Sequence, residues 1–219
     1  MRTALLIGAT GLVGDHLLRQ LLLDARFDRL KVFVRRPTGY QSPKLEEHVV
    51  DFDQLQSWHE LLTGNVLFST LGTTLRQAGS QQAQYKVDYT YQYRTAQAAA
   101  ANGVSTFVLV SSAGADADSF VFYNRMKGEL ERDIKRLPFQ RIRILQPGVL
   151  AGGRAQVRLG EKVGLVLASV VGAVPPLRGY RPVHARIVAQ AMINAALDET
   201  PGISTDTLEG VFTRAGQAA

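Results

Sequence analysis

A glycine triplet stands where an apolar run ends and a helical pattern begins. Thr3–Ile7 leads into Gly8-Ala9-Thr10-Gly11-Leu12-Val13-Gly14, and the pattern Leu12–Leu23 carries Leu17, Leu18, Leu21 and Leu22 on one stripe. Such a turn suits a strand and helix stacked in an α/β unit. One glycine makes the turn tight, one lets a ligand approach the backbone, and one lets the helix pack close on the strand. The amide hydrogens and positive end of the helix then face an anion, and a pyrophosphate fits that geometry. The turn predicts Gly8, Thr10, Gly11, Leu12, Val13 and Gly14 as a dinucleotide-binding segment, with a merely structural βα turn as the plain alternative.

The rest of the chain continues the same rhythm. Short apolar runs at Thr3–Ile7, Leu30–Val34, His48–Asp51, Val66–Ser69, Thr106–Ser111 and Arg141–Leu145 read as strands buried on both faces. Between them, Leu12–Leu23, Gln54–Leu62, Gln81–Asn102 and Phe122–Arg136 read as helices. The expected fold class is α/β: a Rossmann-type, doubly wound parallel sheet flanked by helices. From Pro147 onward glycine and proline become dense, with apolar helices around Lys162–Val171 and Ala185–Leu197. With 219 residues the chain suits a single domain, 1–219, in which 151–219 contribute a small loop-rich cap and Gly210–Ala219 fray.

Charge then selects the dinucleotide. An NAD site of this kind carries an acidic residue at the end of the second strand, about 20 residues past the turn. Here Arg35 and Arg36 stand there, 21 residues and more after Gly14. A carboxylate would repel a 2′-phosphate, whereas two guanidinium forks clamp it, so the expected cofactor is NADP(H). Exposed arginines in a solvated loop are the plain alternative. Asp51 is placed to hydrogen-bond the adenine amine or, equally, to cap a following helix. The net charge of +6 and pI near 9.8 agree with an anionic ligand.

The absence of cysteine excludes disulfides, zinc-thiolate sites and thiol catalysis. His16, His48, His59 and His184 show no metal spacing, so no metal is expected. Met1 and Arg2 lead straight into the first strand, and the longest apolar stretch, Val163 to Val174, is short of the ~20 residues of a membrane span. The expected location is cytoplasmic.

The chemistry is expected at the carboxyl ends of the strands. Ser111 and Ser112 end the fifth strand, and Tyr123 and Lys127, four apart, share one face of the helix that follows. An ordinary tyrosine, with a pKa near ~10, is a poor proton carrier at neutral pH. A neighbouring ammonium favours the phenolate, and a strand-end serine can hold the substrate oxygen. Tyr40 and Lys44 have the same spacing, but Pro43 intervenes and no serine-bearing strand is near. No G-x-S-x-G elbow surrounds Ser112, which disfavours an α/β-hydrolase. Arg132, Lys135, Arg136, Arg141 and Arg143 alternate with acidic and apolar residues, a solvated helix end rather than a nucleic-acid patch. No nucleic-acid partner is expected. Tyr85, Tyr89 and Tyr93 stripe the expected helix Gln81–Asn102, as core or as a subunit face.

With these residues in hand the chain resembles an extended or atypical short-chain dehydrogenase/reductase, and within that group the Tat-interacting-protein-like, NADP-binding subfamily. The resemblance rests on Gly8 to Gly14, Arg35-Arg36, Val50-Asp51-Phe52, Leu71-Gly72-Thr73-Thr74, Ser111-Ser112, Tyr123 to Glu129 and Pro147-Gly148-Val149-Leu150. It implies Tyr123 as acid/base, Lys127 as its pKa modulator and nicotinamide-ribose ligand, and Ser112, or else Ser111, as the substrate-oxygen binder. It further implies Leu71, Gly72 and Thr73 along the cofactor, Pro147, Gly148 and Val149 at its nicotinamide end, and a homodimer through the helices Gln81–Asn102 and Phe122–Arg136. The chain departs from typical members at Leu71-Gly72-Thr73-Thr74, which replaces an asparagine-rich motif, and its C-terminal part is shorter than in sugar-nucleotide epimerases. The expected function is an NADP(H)-dependent oxidoreductase acting on an unidentified small carbonyl or alcohol. A dinucleotide-sensing regulatory protein on the same fold is the alternative.

Overall fold

The computed structural model describes residues 2–151 and 182–217. Seven strands form one parallel sheet in the order β3-β2-β1-β4-β5-β6-β9. They are β1 (Thr3–Ile7), β2 (Arg29–Val34), β3 (Leu45–Val49), β4 (Val66–Ser69), β5 (Thr106–Val110), β6 (Arg141–Gln146) and β9 (Gly202–Thr207); a separate short pair joins β7 (Leu150–Ala151) to β8 (Val183–His184). The order reverses between β1 and β4, which opens a crevice at their carboxyl ends.

Period-two alternation divides the core between the two faces of the sheet. Ala4, Leu6, Val32, Val34, Val66, Phe68 and Val108 pack with α1 (Leu12–Leu23) and α6 (Ala185–Leu197). Leu5, Ile7, Phe33, Leu67, Phe107 and Leu109 pack on the opposite side with α4 (Tyr91–Ala101) and α5 (Phe122–Ile134). In α1 the buried stripe is Leu17, Leu18 and Leu21. Ala185, Ala189, Ala191 and Ala195 are buried in α6, whose small side chains let it lie close on its neighbours.

Several sequence expectations are corrected. Gln54–Leu62 is two 3₁₀ turns, Phe52–Ser57 and His59–Leu61, rather than a helix. Gln81–Asn102 is not uniform: α2 (Leu75–Ala78) precedes α3 (Gln81–Tyr85), a π-helical turn at Lys86–Thr90 follows, and α4 completes the run. The third strand lies earlier than His48–Asp51, as an edge strand of half-buried polar residues. The expected helix around Lys162–Val171 falls outside the described residues, as does most of the loop-rich stretch.

The expectation that Gly210–Ala219 fray is corrected for the described residues, up to 217. The C-terminal segment supplies β9 and α7 (Glu209–Arg214), in which Val211 and Phe212 are buried. Arg143, grouped by sequence with a solvated basic cluster, is 2% exposed. Its guanidinium donates to the carbonyls of Gly202 (2.9 Å), Asp198 (3.1 Å) and Thr200. Those bonds hold the polar strand β9 on the sheet edge without an apolar face to recommend it.

Candidate functional site

The glycine turn sits at the β1/β4 crevice. Gly8 has φ 86°, a left-handed conformation that favours glycine, and a Cβ on it would lie 2.5 Å from the Thr70 carbonyl carbon. A Cβ on Gly14 would lie 2.1 Å from the Gly8 carbonyl oxygen. Thr70 Oγ1 donates to the Ile7 carbonyl at 2.9 Å and braces the end of β4 against β1. Gly11 caps α1 without a side chain, and the helical ladder starts with Asp15 N–H donating to the Gly11 carbonyl at 2.9 Å. The N–H groups of Leu12, Val13 and Gly14 precede that ladder and have no intrahelical acceptor. A backbone cradle with unused donors fits a diphosphate.

Arg35 and Arg36 follow β2, both exposed. Among the described residues no carboxylate pairs with either guanidinium. Asp51 is exposed, and its Oδ1 accepts from Asp53 N–H at 2.9 Å as the cap of the first 3₁₀ turn. Its carbonyl accepts from the Trp58 indole at 2.9 Å. The cap is thus present, and it is made through Oδ1.

The serines lie at the end of β5. Ser111 N–H donates to the Leu145 carbonyl at 2.8 Å, while its buried hydroxyl has no hydrogen-bond partner among the described residues. The Ser112 hydroxyl, half-buried, reaches only the Ala113 carbonyl at 3.4 Å. Ala113 N–H donates to the Pro147 carbonyl at 3.0 Å, which joins the serine loop to the loop Pro147, Gly148 and Val149. Pro147 is buried and Val149 exposed.

Helix α5 brings in Tyr123 and Lys127. Gly128 lets it lie against the Asp116–Ala117 backbone, where a Cβ would come within 2.1 Å of Ala117 N. Tyr123 is 37% exposed and therefore open to a substrate, and Lys127 Nζ stands 5.8 Å from its ring centroid. Burial lowers the Lys127 pKa, but the Asp88 carboxylate, 2.9 Å from Nζ, together with Tyr123 and Glu131 outweighs it and holds the lysine above its ordinary range. The structure therefore keeps a charged ammonium beneath an accessible phenol.

The loop Leu71, Gly72 and Thr73 follows β4 toward the same edge. Thr73 N–H donates to Asp88 Oδ2 at 2.8 Å and its carbonyl accepts from Gln84 Nε2 at 3.2 Å. Sequence reasoning missed Asp88. A signal was present: Gln84, Asp88 and Gln92, four apart, form a polar stripe that is fully buried. The neighbouring tyrosines masked it. Tyr85, Tyr89 and Tyr93 stack at 4.7 and 5.9 Å, and Tyr85 and Tyr89 donate to Glu129 and Asp133 on α5 at 3.0 and 2.7 Å. Burial, then Glu129, pushes Tyr85 up to about 12, and burial with Asp133 raises Tyr89 well above its ordinary range. Neither is an acid/base group near neutrality.

Comparison with known proteins gives the family and the fold. Residues 8–152 match a family described as NAD(P)H-binding. The mitochondrial protein fmp52 of Emericella nidulans is 34% identical over 210 residues, covering 92% of this chain and 90% of that protein. The mitochondrial protein FMP52 of Candida glabrata is 38% identical over 207 residues, covering 90% and 86%. Among solved structures, MoeE5 in complex with UDP-glucose and NAD has a TM-score of 0.69 at 20% identity, over 98% of this chain and 81% of that one. A short-chain dehydrogenase/reductase superfamily protein from Agrobacterium tumefaciens with bound NAD has a TM-score of 0.69 at 15% identity, over 94% and 77%. These structures share the fold. The expectation of a cytoplasmic protein is corrected by the curated relatives, which are named as mitochondrial proteins. Among the described residues no helix is long and apolar enough to cross a membrane.

Proposed function

The chain belongs to the NAD(P)H-binding family, and on that premise we propose that it is an NADP(H)-dependent oxidoreductase of the short-chain dehydrogenase/reductase type, related to the Tat-interacting-protein-like subfamily. The observation that carries this reading is the buried, charged Lys127 beside the accessible Tyr123, on the sheet edge that also holds the glycine cradle.

The residues divide the work. Gly8, Thr10, Gly11, Leu12, Val13 and Gly14 hold the diphosphate, Arg35 and Arg36 grip the 2′-phosphate, and Asp51 faces the adenine. Leu71, Gly72 and Thr73 line the middle, Lys127 donates to the nicotinamide ribose, and Pro147, Gly148 and Val149 back the nicotinamide end. When bound, the cofactor supplies or accepts the hydride. Ser112 Oγ, or else Ser111 Oγ, donates to the substrate oxygen and orients it. Tyr123 Oη gives its proton to that oxygen in reduction and takes it back in oxidation. The Lys127 ammonium, 5.8 Å from the ring centroid, places a positive charge beside the group that exchanges the proton.

Calorimetry with NADPH and NADH tests the cofactor, and Tyr123→Phe tests the chemistry. The variant keeps NADPH affinity within a few-fold and loses turnover on a carbonyl panel by about 10²–10⁴, the usual weight of a general acid. Unchanged turnover removes Tyr123 from the mechanism. A cofactor-bound wild-type protein that stays redox-silent across the panel supports the dinucleotide-sensing alternative instead.

A further inference from the structure

Lys127 and Asp88 form a buried ion pair, with side chains 5% and 1% exposed. An ammonium at that depth without a counter-charge sheds its proton rather than remain ionised. Asp88 is built into place from several directions. It lies in the π-helical turn Lys86–Thr90 between α3 and α4, an irregularity that interrupts the ordinary ladder. The Asp88 carbonyl accepts from Gln92 Nε2 at 2.6 Å, and Ser69 Oγ, at the end of β4, donates to Gln92 Oε1 at 2.6 Å. Both carboxylate oxygens are used: Oδ1 by Lys127 Nζ at 2.9 Å and Oδ2 by Thr73 N–H at 2.8 Å. Since Gln84 holds the Thr73 carbonyl, the Thr73 peptide is pinned on both sides. The other titratable groups that act on Lys127 are Tyr123 and Glu131 of its own helix.

We propose that Asp88 is a positioning residue for the Tyr123 centre: it keeps the Lys127 ammonium charged within the site and ties it to the Thr73 peptide, so that the lysine and the Leu71–Thr73 loop form one rigid piece. The electrostatics at Tyr123 are then set by an aspartate–lysine pair rather than by a lone cation. The part of this inference that concerns cofactor binding rests on the dinucleotide reading above; the part that concerns Lys127 does not.

Asp88→Asn keeps the side-chain shape, removes the counter-charge and replaces one acceptor by a donor. Lysine side-chain NMR follows the titration of Lys127, whose signal is identified by its loss in Lys127→Met. In Asp88→Asn the Lys127 pKa falls by about 1–3 units relative to wild type, the span a close opposite charge controls. NADPH affinity, read by calorimetry at pH 6.5 and pH 9, then weakens with rising pH in the variant more steeply than in wild type. A purely structural Asp88 lowers affinity equally at both pH values. An unchanged Lys127 titration overturns the proposal. If Asp88→Asn does not fold, the double variant Asp88→Asn/Lys127→Met, which leaves no lone buried charge, recovers the fold; a double variant as unstable as the single one also overturns it. Failure of the wild-type protein to bind NADPH defeats the dinucleotide reading alone, because the Lys127 titration still decides the role of Asp88.

Discussion

Replacing Gly14 by alanine tests the physical basis of the turn without touching a charged group. The new Cβ would stand 2.1 Å from the Gly8 carbonyl oxygen and 2.7 Å from Thr70 Oγ1. Real Cβ contacts essentially never fall below 3.0 Å, so helix α1 and the turn must separate by about 0.9 Å. In an unobstructed helix the exchange stabilises by about 1 kcal/mol, because alanine is the better helix former. Overpacking a close contact costs about 1–3 kcal/mol. The clash here is against backbone, which has little room to yield, so the upper part of that range applies and the sign reverses. At about 2–4 °C per kcal/mol for a domain of this size, Gly14→Ala lowers the melting temperature by several degrees. It also displaces the N–H groups at the head of α1, and NADPH affinity falls by tenfold or more. Gly11→Ala is the internal comparison: its Cβ would approach the Gly8 carbonyl only to 3.2 Å, a contact that a few tenths of an ångström relieve, so it carries the small cost of alanine at an N-cap and melts above Gly14→Ala. Scanning calorimetry and isothermal titration measure both quantities. A Gly14→Ala protein that melts no lower than wild type and binds NADPH equally well refutes the packing argument.

Two further outcomes follow from charge. Replacing both Arg35 and Arg36 by alanine weakens NADPH binding by tenfold or more, since a charge-assisted hydrogen bond contributes about 1.5–3 kcal/mol, and leaves NADH binding unchanged; equal losses for the two nucleotides, measured by calorimetry, remove the arginines from 2′-phosphate recognition. Asp198 is the acid-sensitive point of the C-terminal edge: hydrogen bonds from Thr200, side chain and backbone, and from Arg214 hold its carboxyl down to about 2. A carboxyl depressed on folding stabilises the protein above its unfolded value, near ~3.9, and that contribution disappears as pH falls through the folded value. Asp198→Asn is therefore less stable than wild type at pH 7, and the gap in urea midpoint closes between pH about 4 and about 2; a gap that persists in acid contradicts the assignment.

The fold was largely legible in the sequence because its signals are local. Thr3–Ile7, Val66–Ser69, Leu12–Leu23 and Ala185–Leu197 are bounded as their patterns predict, since burial on both faces writes a continuous apolar run and burial on one helical face writes a stripe. Gly8 and Gly14 were legible for a related reason: a positive φ and backbone close contacts exclude side chains, and that exclusion is visible as glycine. Tertiary structure alone decided what depends on distant partners. Strand β9 is polar, and it is held by its ladder with β6 and by the Arg143 guanidinium reaching carbonyls more than fifty residues away. The π-helical turn leaves no mark in composition, yet it puts Asp88 against Lys127 and Thr73. A buried ion pair is a relation between two residues thirty-nine positions apart, and sequence specifies each partner without the distance that makes them a pair. Periodicity encodes which face of an element is buried; only the packed chain determines what waits on the other side.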